Sequence, residues 1–461
     1  NIAIGYNALA GTIAGGEYNV AIGNYSLDAL TSGDLNTAVG YNSGTSLTTG
    51  VRNVIIGGDA ARNVAQGSSM VIIGDNALGT GVATGSENVI IGRNAGEDIT
   101  SAVESCYVGY EAGLNVTTGD GNTVLGAHAV GAGVLTGNNN VVIGKLAGND
   151  MTSADQNVLI GEDAGANITT ADANVIIGQG AGETLTTGTH NIYIGVNAGN
   201  GHDAEGSNIG IGFDALGGSI VAGGENNVAL GIYALDALTS GDYNNAIGYQ
   251  ALTNLTTGQQ NVAMGRLAGD AVTDETQSVY IGHGAGDDYT GSQAVMLGAL
   301  TRNHSDGNDE ANAICIGYNV NTGRANQVHL GNTSITAIKG QVSFSTYSDQ
   351  RIKKDIVDTD LGLEFVNKLK PKKFKRKDPE EYADLFGEAN KTPIKDDEKE
   401  NVFDGLIAQE VEAVCNELGV SFSGHEVSTS QGNKQSIQYE TLTIPLIKAV
   451  QELSATVTTL Q

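Results

Sequence analysis

The 461-residue chain contains no Trp, only 4 Pro and only 3 Cys. With so little Pro and no Gly-X-Y period, its 66 Gly do not indicate collagen. The cysteines, Cys106, Cys315 and Cys415, are odd in number and far apart, which argues against a disulfide framework and against a zinc site. No stretch approaches the roughly 20 apolar residues of a membrane span, so we expect no membrane insertion.

Positive charge is also scarce. Lys and Arg total 23 against 52 Asp and Glu, a formal net charge of −29, which makes nucleic acid an unfavourable partner. Apolar residues make up 40% of the chain, too many for a disordered protein. The first residues, Asn1 to Ala10, lie inside a repeat and lack a secretion-signal pattern, so we interpret the sequence as a fragment.

The composition changes near residue 340. Residues 1–340 hold 60 of the 66 Gly, with 8 Lys and Arg against 31 Asp and Glu. Residues 341–461 hold 6 Gly, with 15 Lys and Arg against 21 Asp and Glu. We therefore predict a repeat shaft over residues 1–335, a junction over 336–347 and a different domain over 348–461.

The shaft is a repeat of the string Asn-Val-x-Ile-Gly. Twenty copies follow one another, seventeen or eighteen positions apart for the first twelve steps and less regularly after that. Internal repeats at so regular a step indicate a solenoid. The glycines that end the copies are Gly5, Gly23, Gly40, Gly57, Gly74, Gly92, Gly109, Gly126, Gly144, Gly161, Gly178, Gly195, Gly212, Gly231, Gly248, Gly265, Gly282, Gly298, Gly317 and Gly331.

Each unit combines a short β-type run, a tight corner and a polar return. Its Val and Ile fit a pleated, half-buried surface, and stacked units would pair in parallel. A small residue three positions after the glycine, such as Ala95 or Ser26, predicts a crowded interior position. Asn opens 14 of the 20 units, beginning with Asn1 and Asn19, and is interpreted as one side of a stacked ladder or as a turn-former.

The shaft has few aromatic residues and a thin apolar stripe, which leaves little core for a monomeric solenoid. We therefore predict a homotrimer whose three chains pack these stripes about one axis. The units resemble the head repeats of trimeric autotransporter adhesins and the glycine-rich shafts of phage tail fibres. That resemblance implies an all-β shaft, a trimeric parallel β-roll or β-solenoid in which each coil is one repeat unit of about seventeen amino acids.

The repeat offers weak candidates for ligand sites. Gly178–Gly182 and Gly282–Gly286 resemble phosphate loops faintly but lack the Gly-Lys-Ser/Thr ending. Acidic loops at Gly161–Asp163 and Gly286–Asp288 carry oxygen ligands that suit Ca²⁺, yet match no calcium motif, and a solvated acidic surface is favoured. The seven His show no ligand spacing. We predict neither a cofactor nor a metal.

Residues 341–461 predict a small α+β domain. A strand-like segment at Val342–Thr346 comes first, followed by a predicted helix at Leu361–Leu369 and a basic strand at Lys372–Lys377. A charged loop at Asp378–Asn401 and a helix from about Leu406 to Leu418 come next. The last segment has apolar residues at steps of 4, 3, 4 and 3, a spacing that predicts a coiled coil. They are Leu446, Val450, Leu453, Val457 and Leu460.

Three motifs in this region occur in a specific combination. They are Ser-Asp-x-Arg-x-Lys-x-x-Ile at Ser348–Ile356, Gly-Leu-Ile-Ala-Gln-Glu-Val at Gly405–Val411, and Tyr-Glu-x-Leu-x-x-x-Leu-Ile-Lys-Ala-Val at Tyr439–Val450. Together they resemble the C-terminal intramolecular chaperone domain of endosialidases and phage tail fibres. The resemblance covers about residues 341–461.

This resemblance implies a domain that trimerises, guides folding of the shaft and then cuts itself off with a Ser-Lys dyad. By that resemblance Ser348 is the nucleophile, Lys353 the general base, and Tyr347–Ser348 the scissile bond. A lysine can serve as the base if desolvation or nearby cations, here Arg351 and Lys354, lower its pKa. Such a protein is a serine endopeptidase acting once on itself, with no turnover activity.

The sequence is compatible with three functions. The first is a phage tail fibre, located in the virion, that attaches to a host cell-surface receptor, either a glycan or a protein. The second is a trimeric adhesin on the bacterial surface with an uncleaved C-terminal cap. The third, a polysaccharide-degrading fibre, ranks last because depolymerases need paired carboxylates in a non-repeating domain, and the repeat accounts for residues 1–335.

Overall fold

The computed structural model describes residues 1–12, 15–81, 83–218, 223–287, 291–303, 311–322, 325–332, 334–335, 337–341, 347–382, 399–428 and 433–460. The chain forms two compact units, Asn1–Thr301 and Arg302–Gln461. The strand predicted at Val342–Thr346 and most of the charged loop lie outside the described residues.

The first unit is a parallel β-solenoid in which each coil is one repeat unit, as the sequence predicts. Eighteen three-residue strands stack in chain order, and each of the first seventeen pairs in parallel with the next, as Val158 does with Val175. The strands are β1 Ile2–Ile4, β2 Val20–Ile22, β3 Thr37–Val39, β4 Val54–Ile56, β5 Val71–Ile73, β6 Val89–Ile91, β7 Cys106–Val108, β8 Thr123–Leu125, β9 Val141–Ile143, β10 Val158–Ile160, β11 Val175–Ile177, β12 Ile192–Ile194, β13 Ile209–Ile211, β14 Val228–Leu230, β15 Asn245–Ile247, β16 Val262–Met264, β17 Val279–Ile281 and β18 Val295–Leu297.

A single chain fills the solenoid interior. The middle residue of the strand, such as Ile176, points inward, and the small corner residues Ala95 and Ser26 are fully buried as predicted. The leucine of the return segment is also fully buried, as at Leu47 and Leu185. The prediction of too little core for one chain was therefore wrong, because the return segment also contributes an apolar side chain to each coil.

The asparagines that open the units form the ladder, and the turn-former alternative is not needed to explain them. Asn19, Asn36 and Asn53 are fully or almost fully buried. Asn36 donates its backbone N–H and its Nδ2 to Oδ1 of Asn19, at 2.9 and 3.1 Å. Its Nδ2 also donates to the carbonyl of Gly50 at 2.9 Å. Each amide thus joins neighbouring coils, which satisfies polar groups that would otherwise be buried unpaired.

The glycine that ends each strand is required by the stacking of the coils. Gly144 has a φ of +140°, and a Cβ there would overlap the carbonyl group of Gly161 in the next coil. Corner residues further along each coil also take positive φ, and Asn or Asp often occupies them, as at Asn42 and Asp59.

The second unit begins with short parallel pairs and continues as a small α+β region. Two pairs are parallel, β19 with β21 and β20 with β22, and two are antiparallel, β23 with β24 and β25 with β26. The elements are β19 Arg302–Asn303, β20 Ile314–Ile316, β21 Asn321–Thr322, β22 Val328–Leu330, α1 Leu363–Lys368, β23 Lys372–Phe374, β24 Phe403–Gly405, α2 Ala408–Leu418, β25 His425–Ser428, β26 Lys434–Ile437 and α3 Thr443–Leu460.

The two predicted helices and the basic strand of this region are present with shorter bounds, and the last helix begins earlier than the predicted heptad residues, at Thr443. The core is formed by α1, α2 and the segment after α2: Phe365 packs against Phe422 with ring centroids 5.5 Å apart, and Val411 and Val414 are buried beside them. Gly419 ends α2 in the left-handed conformation, with a φ of 66°. The strand predicted over Lys372–Lys377 ends at Phe374.

Candidate active site

Ser348 and Lys353 meet across a single turn. Lys353 Nζ donates to Ser348 Oγ at 2.7 Å. The residues between them form a 3-10 turn at Gln350–Ile352, closed by hydrogen bonds from the backbone N–H of Ile352 to Asp349 and of Lys353 to Gln350. The structure therefore brings together the two side chains that the sequence predicts as a dyad.

Asp349 fixes this turn. Its Oδ1 accepts from the backbone N–H of Arg351 at 2.8 Å, which caps the turn. The Arg351 guanidinium also binds both carboxylate oxygens, with Nε at 3.0 and 3.1 Å and one terminal nitrogen at 2.5 Å. The Arg351 side chain lowers the pKa of Asp349, and Asp349 raises the pKa of Arg351.

This pairing corrects one expectation. The sequence predicts Arg351 as a cation that lowers the pKa of Lys353, but its guanidinium is paired with Asp349, which offsets its charge. Asp349 thus contributes to the site by capping the turn and by pairing with Arg351. An Asp one position before a short turn is a capping signal, and that signal was available in the sequence.

The site lies open in one chain. Tyr347 is 94% exposed, and Ser348 and Lys353 are also exposed. A serine hydroxyl hydrogen-bonded to an amine is the arrangement needed for nucleophilic attack once the amine is neutral. Burial would favour that neutral form, and the described residues of a single chain do not bury the lysine.

Residues 348–420 match a protein-family model described as the chaperone of endosialidase. The C-terminal region thus carries an endosialidase-type chaperone domain. This domain and the β-solenoid together fit a tail-fibre-like protein, and the chaperone family favours trimer formation. The search of curated proteins found no significant match to the chain.

The last helix of the C-terminal region, α3, has two different faces. One face packs on the domain: Pro445 and Ala449 are buried, and Glu452 accepts from the backbone N–H of Leu363 at 2.7 Å, which caps the start of α1. The other face carries the predicted heptad residues, and all of them are exposed in one chain. The role of Glu452 could not be read from the sequence, since its partner is 89 residues away.

The basic run of the chaperone domain is paired with carboxylates. Lys368 binds Glu417 at 2.6 Å, and Lys372 lies 3.6 Å from Glu410. Lys373 lies 3.6 Å from Asp404, and Lys375 also binds a carboxylate, that of Glu400. These ion pairs lie on the surface and contribute little stability each, and they offset the charge of four basic residues between Lys368 and Lys377.

The solenoid presents an apolar stripe on the outer face of its strands. The first and third residues of each strand point away from the interior, so that Ile56 is 38% exposed and Met264 is 46% exposed. Most of these positions hold Val, Ile or Leu along the eighteen strands. A contiguous exposed apolar surface of this length indicates a protein–protein interface.

The candidate ligand loops of the shaft belong to the corners. Gly178 ends β11, and Gly180 and Gly182 take left-handed conformations in the corner that follows, with no helix behind them. Glu162 pairs with Lys145 at 2.8 Å. Among the described residues no group of three His, Cys, Asp or Glu could hold a metal ion; Asp288 lies outside them.

One histidine is buried in the shaft. His202 is fully buried where the preceding coil has Leu185, and its ring lies 5.3 Å from that of Tyr193. Burial lowers the pKa of His202 to about 3. The signal in the sequence was its register, because it stands one repeat unit after a buried leucine.

In the described part of the chain no helix is long and apolar enough to cross a membrane.

Proposed function

We propose that this protein is the shaft of a trimeric phage attachment fibre, whose chaperone domain assembles the trimer and then cuts the chain before Ser348. The observation that carries the self-cleavage is the 2.7 Å hydrogen bond between Lys353 Nζ and Ser348 Oγ. The turn that holds both residues directly follows the scissile bond, so the nucleophile is next to the carbonyl that it attacks.

The first chemical step is an acyl shift within one residue. Neutral Lys353 takes the Ser348 hydroxyl proton as Oγ attacks the carbonyl carbon of Tyr347 through a five-membered ring. The same proton then passes to the Ser348 amide nitrogen as the C–N bond breaks, leaving an ester between the two residues. Water, activated by Lys353, hydrolyses the ester to a Tyr347 carboxylate and a Ser348 hydroxyl.

Assembly of three chains prepares this step. The exposed seam of α3 joins the chaperone domains as a coiled coil, and the apolar stripes of the shaft pack together. Neighbouring chains then cover the exposed Lys353 and remove water from it, which favours its neutral form. Cleavage thereby follows folding, and the shaft remains as the stable product.

The test is the mass of the purified full-length chain beside Ser348→Ala and Lys353→Ala. We expect the wild type to split into fragments ending at Tyr347 and beginning at Ser348, and both variants to stay whole while remaining trimeric. If the wild type forms a folded trimer whose chains keep their full mass of 47.2 kDa, self-cleavage is overturned. That result favours the alternative, a trimeric adhesin on the bacterial surface with a permanent C-terminal cap.

A further inference from the structure

Aromatic residues form a zigzag along three successive coils near the start of the shaft, with the two outer rings exposed and the middle ring, Tyr25, half-buried. Tyr6 and Tyr25 meet edge to face with ring centroids 5.4 Å apart, and Tyr25 meets Tyr41 in the same way at 6.1 Å. Tyr6 and Tyr41 each directly follow a strand-ending glycine, whereas Tyr25 lies two residues after one. We call these three residues the first aromatic zigzag.

The same arrangement recurs twelve coils later. Phe213 meets Tyr233 at 5.4 Å, and Tyr233 meets Tyr249 at 6.5 Å, both edge to face. The positions relative to the strand-ending glycines are identical: one, two and one residue after them. We call these residues the second aromatic zigzag. Two copies in the same register indicate a selected feature, because the repeat itself does not require aromatic residues at these positions.

The two outer rings of each zigzag are accessible and have polar neighbours, while the middle ring is half-buried. Tyr6 is 64% exposed and Tyr249 is 42% exposed. The residue next to a ring is Asn42 after Tyr41 and Gln250 after Tyr249, so amide groups border the aromatic surface. Aromatic rings with hydroxyl groups and amide neighbours offer both apolar area and hydrogen bonds. The faces of sugar rings carry C–H groups that pack on such rings, and their edges carry hydroxyl groups that bond to amides.

The charge around both zigzags disfavours an acidic partner. Residues 1–51 and 146–265 contain no Lys or Arg, but they do contain carboxylates, Asp242 among them. Arg266 follows the second stretch, and its guanidinium already lies over the Tyr249 ring, 5.9 Å from the centroid. A polyanion would therefore be repelled along most of this surface. An uncharged chain of sugar rings meets no such penalty.

We propose that each aromatic zigzag binds a neutral glycan chain running along the shaft axis. Strands of neighbouring coils are about 4.8 Å apart, a step comparable to one sugar ring, so successive sugars meet successive coils. This inference rests on the proposed attachment function and names its ligand class. The zigzags are not a general feature of the strands, because the apolar stripe follows all eighteen strands whereas the described coils carry the three-ring zigzag only twice.

The experiment uses the trimer obtained by expressing the full-length chain, on a printed array of neutral oligosaccharides, with heparin and polysialic acid as acidic comparators. The variant is Phe213→Ser with Tyr233→Ser and Tyr249→Ser, combined with Tyr6→Ser, Tyr25→Ser and Tyr41→Ser. The matched control is Tyr243→Ser, since Tyr243 is 55% exposed but belongs to neither zigzag. Light scattering and thermal melting report the assembly and folding of each protein.

We expect the wild type and Tyr243→Ser to bind at least one neutral glycan and not the acidic polymers. The variant with all six Ser substitutions, the sixfold variant, should bind that glycan at least ten times more weakly. Restoring one zigzag should restore binding with lower avidity. Binding unchanged in the sixfold variant, or absent from every neutral glycan, overturns the inference. Loss of the trimer in the sixfold variant also overturns it, since the rings then belong to the interface. Trimerisation and cleavage of the wild type are measured in separate experiments. A negative glycan result therefore overturns the glycan site without overturning the proposed fibre.

Discussion

Asn157 is bound to Asn140 of the preceding coil by two hydrogen bonds. Its backbone N–H and its Nδ2 both donate to Oδ1 of Asn140, at 2.9 and 3.1 Å. Its Nδ2 also donates to the carbonyl of Ala171 at 2.8 Å, and its own Oδ1 accepts from Asn174. One side chain therefore connects coils on both sides of it.

Replacing Asn157 with Ala should destabilise the shaft by about 2–4 kcal/mol, because buried donors and acceptors of Asn174 and Ala171 lose their partners. Asn157→Ser is the matched control, since Ser105 stands at this position in another coil and its Oγ accepts from the backbone N–H of Asn122 at 3.0 Å. Denaturant unfolding followed by circular dichroism measures both. Equal losses for Ala and Ser would contradict a role for the ladder acceptor.

Gly144 should tolerate no side chain. A Cβ there would overlap the backbone of Gly161, so Gly144→Ala should cost several kcal/mol by forcing two coils apart. Gly15→Ala separates this clash from backbone strain, because Gly15 also has a positive φ, 122°, but no atom lies within 4 Å of its Cβ position. The strain alone costs about 1–3 kcal/mol. Comparable melting temperatures for the two variants would refute the stacking argument.

The sequence predicts the solenoid well because each coil repeats the same local rules. The strand-ending glycine, the small residue at Ala95 and the opening Asn each have one structural role, and twenty copies make that role visible. The amount of core was underestimated because Leu47 and its counterparts lie in a segment rich in Thr and Gly, which looks polar in sequence. Burial of that leucine depends on how the return segment closes the coil.

Non-repeating contacts were harder to predict. The motif places Ser348 and Lys353 five residues apart, and one turn suffices to join them, so the pair could be predicted locally. The ion pair between Asp349 and Arg351 depends on side-chain geometry. The contact of Glu452 with the start of α1 depends on tertiary packing. His202 looks ordinary in the sequence, since only its register in the repeat shows that it is buried.

His202 should make the shaft sensitive to acid. Its pKa is about 3 when folded, against an ordinary value of 6.5, so the unfolded chain takes up a proton first as the pH falls. Its contribution to stability is therefore intact above pH 6.5 and is lost between pH 6.5 and about 3, by about 1.4 kcal/mol per pH unit. His202→Leu, which repeats the residue of the preceding coil, should remove this loss.

The measurement is the free energy of unfolding of both proteins at several values of pH. Carboxylates titrate in the same range in both proteins, so the difference between the two curves isolates the histidine. The difference should widen as the pH falls below 6.5. Parallel curves would show that His202 takes up its proton without unfolding the coil.

Asp349 should act as a positioning residue for self-cleavage. Asp349→Ala removes both the cap of the turn and the partner of Arg351, so cleavage should slow at least tenfold without loss of the trimer. Asp349→Asn keeps an oxygen that accepts from the backbone N–H of Arg351, and should retain more activity than Ala. Time courses on denaturing gels give the rates. If Asn and Ala slow cleavage equally, the charge of Asp349 rather than the cap is what matters.

The seam of α3 should control cleavage through assembly. Val450→Asp with Leu453→Asp places charges in the exposed apolar seam and should prevent the coiled coil from forming. Ser454→Asp is the control, because Ser454 is exposed on the same helix but outside the seam. Light scattering should show monomers for the seam variant and trimers for the control, and cleavage should fail only in the seam variant. Cleavage of a monomeric seam variant at the wild-type rate would show that one chain completes the site by itself, and the exposed Lys353 would then need no partner chain to act as a base.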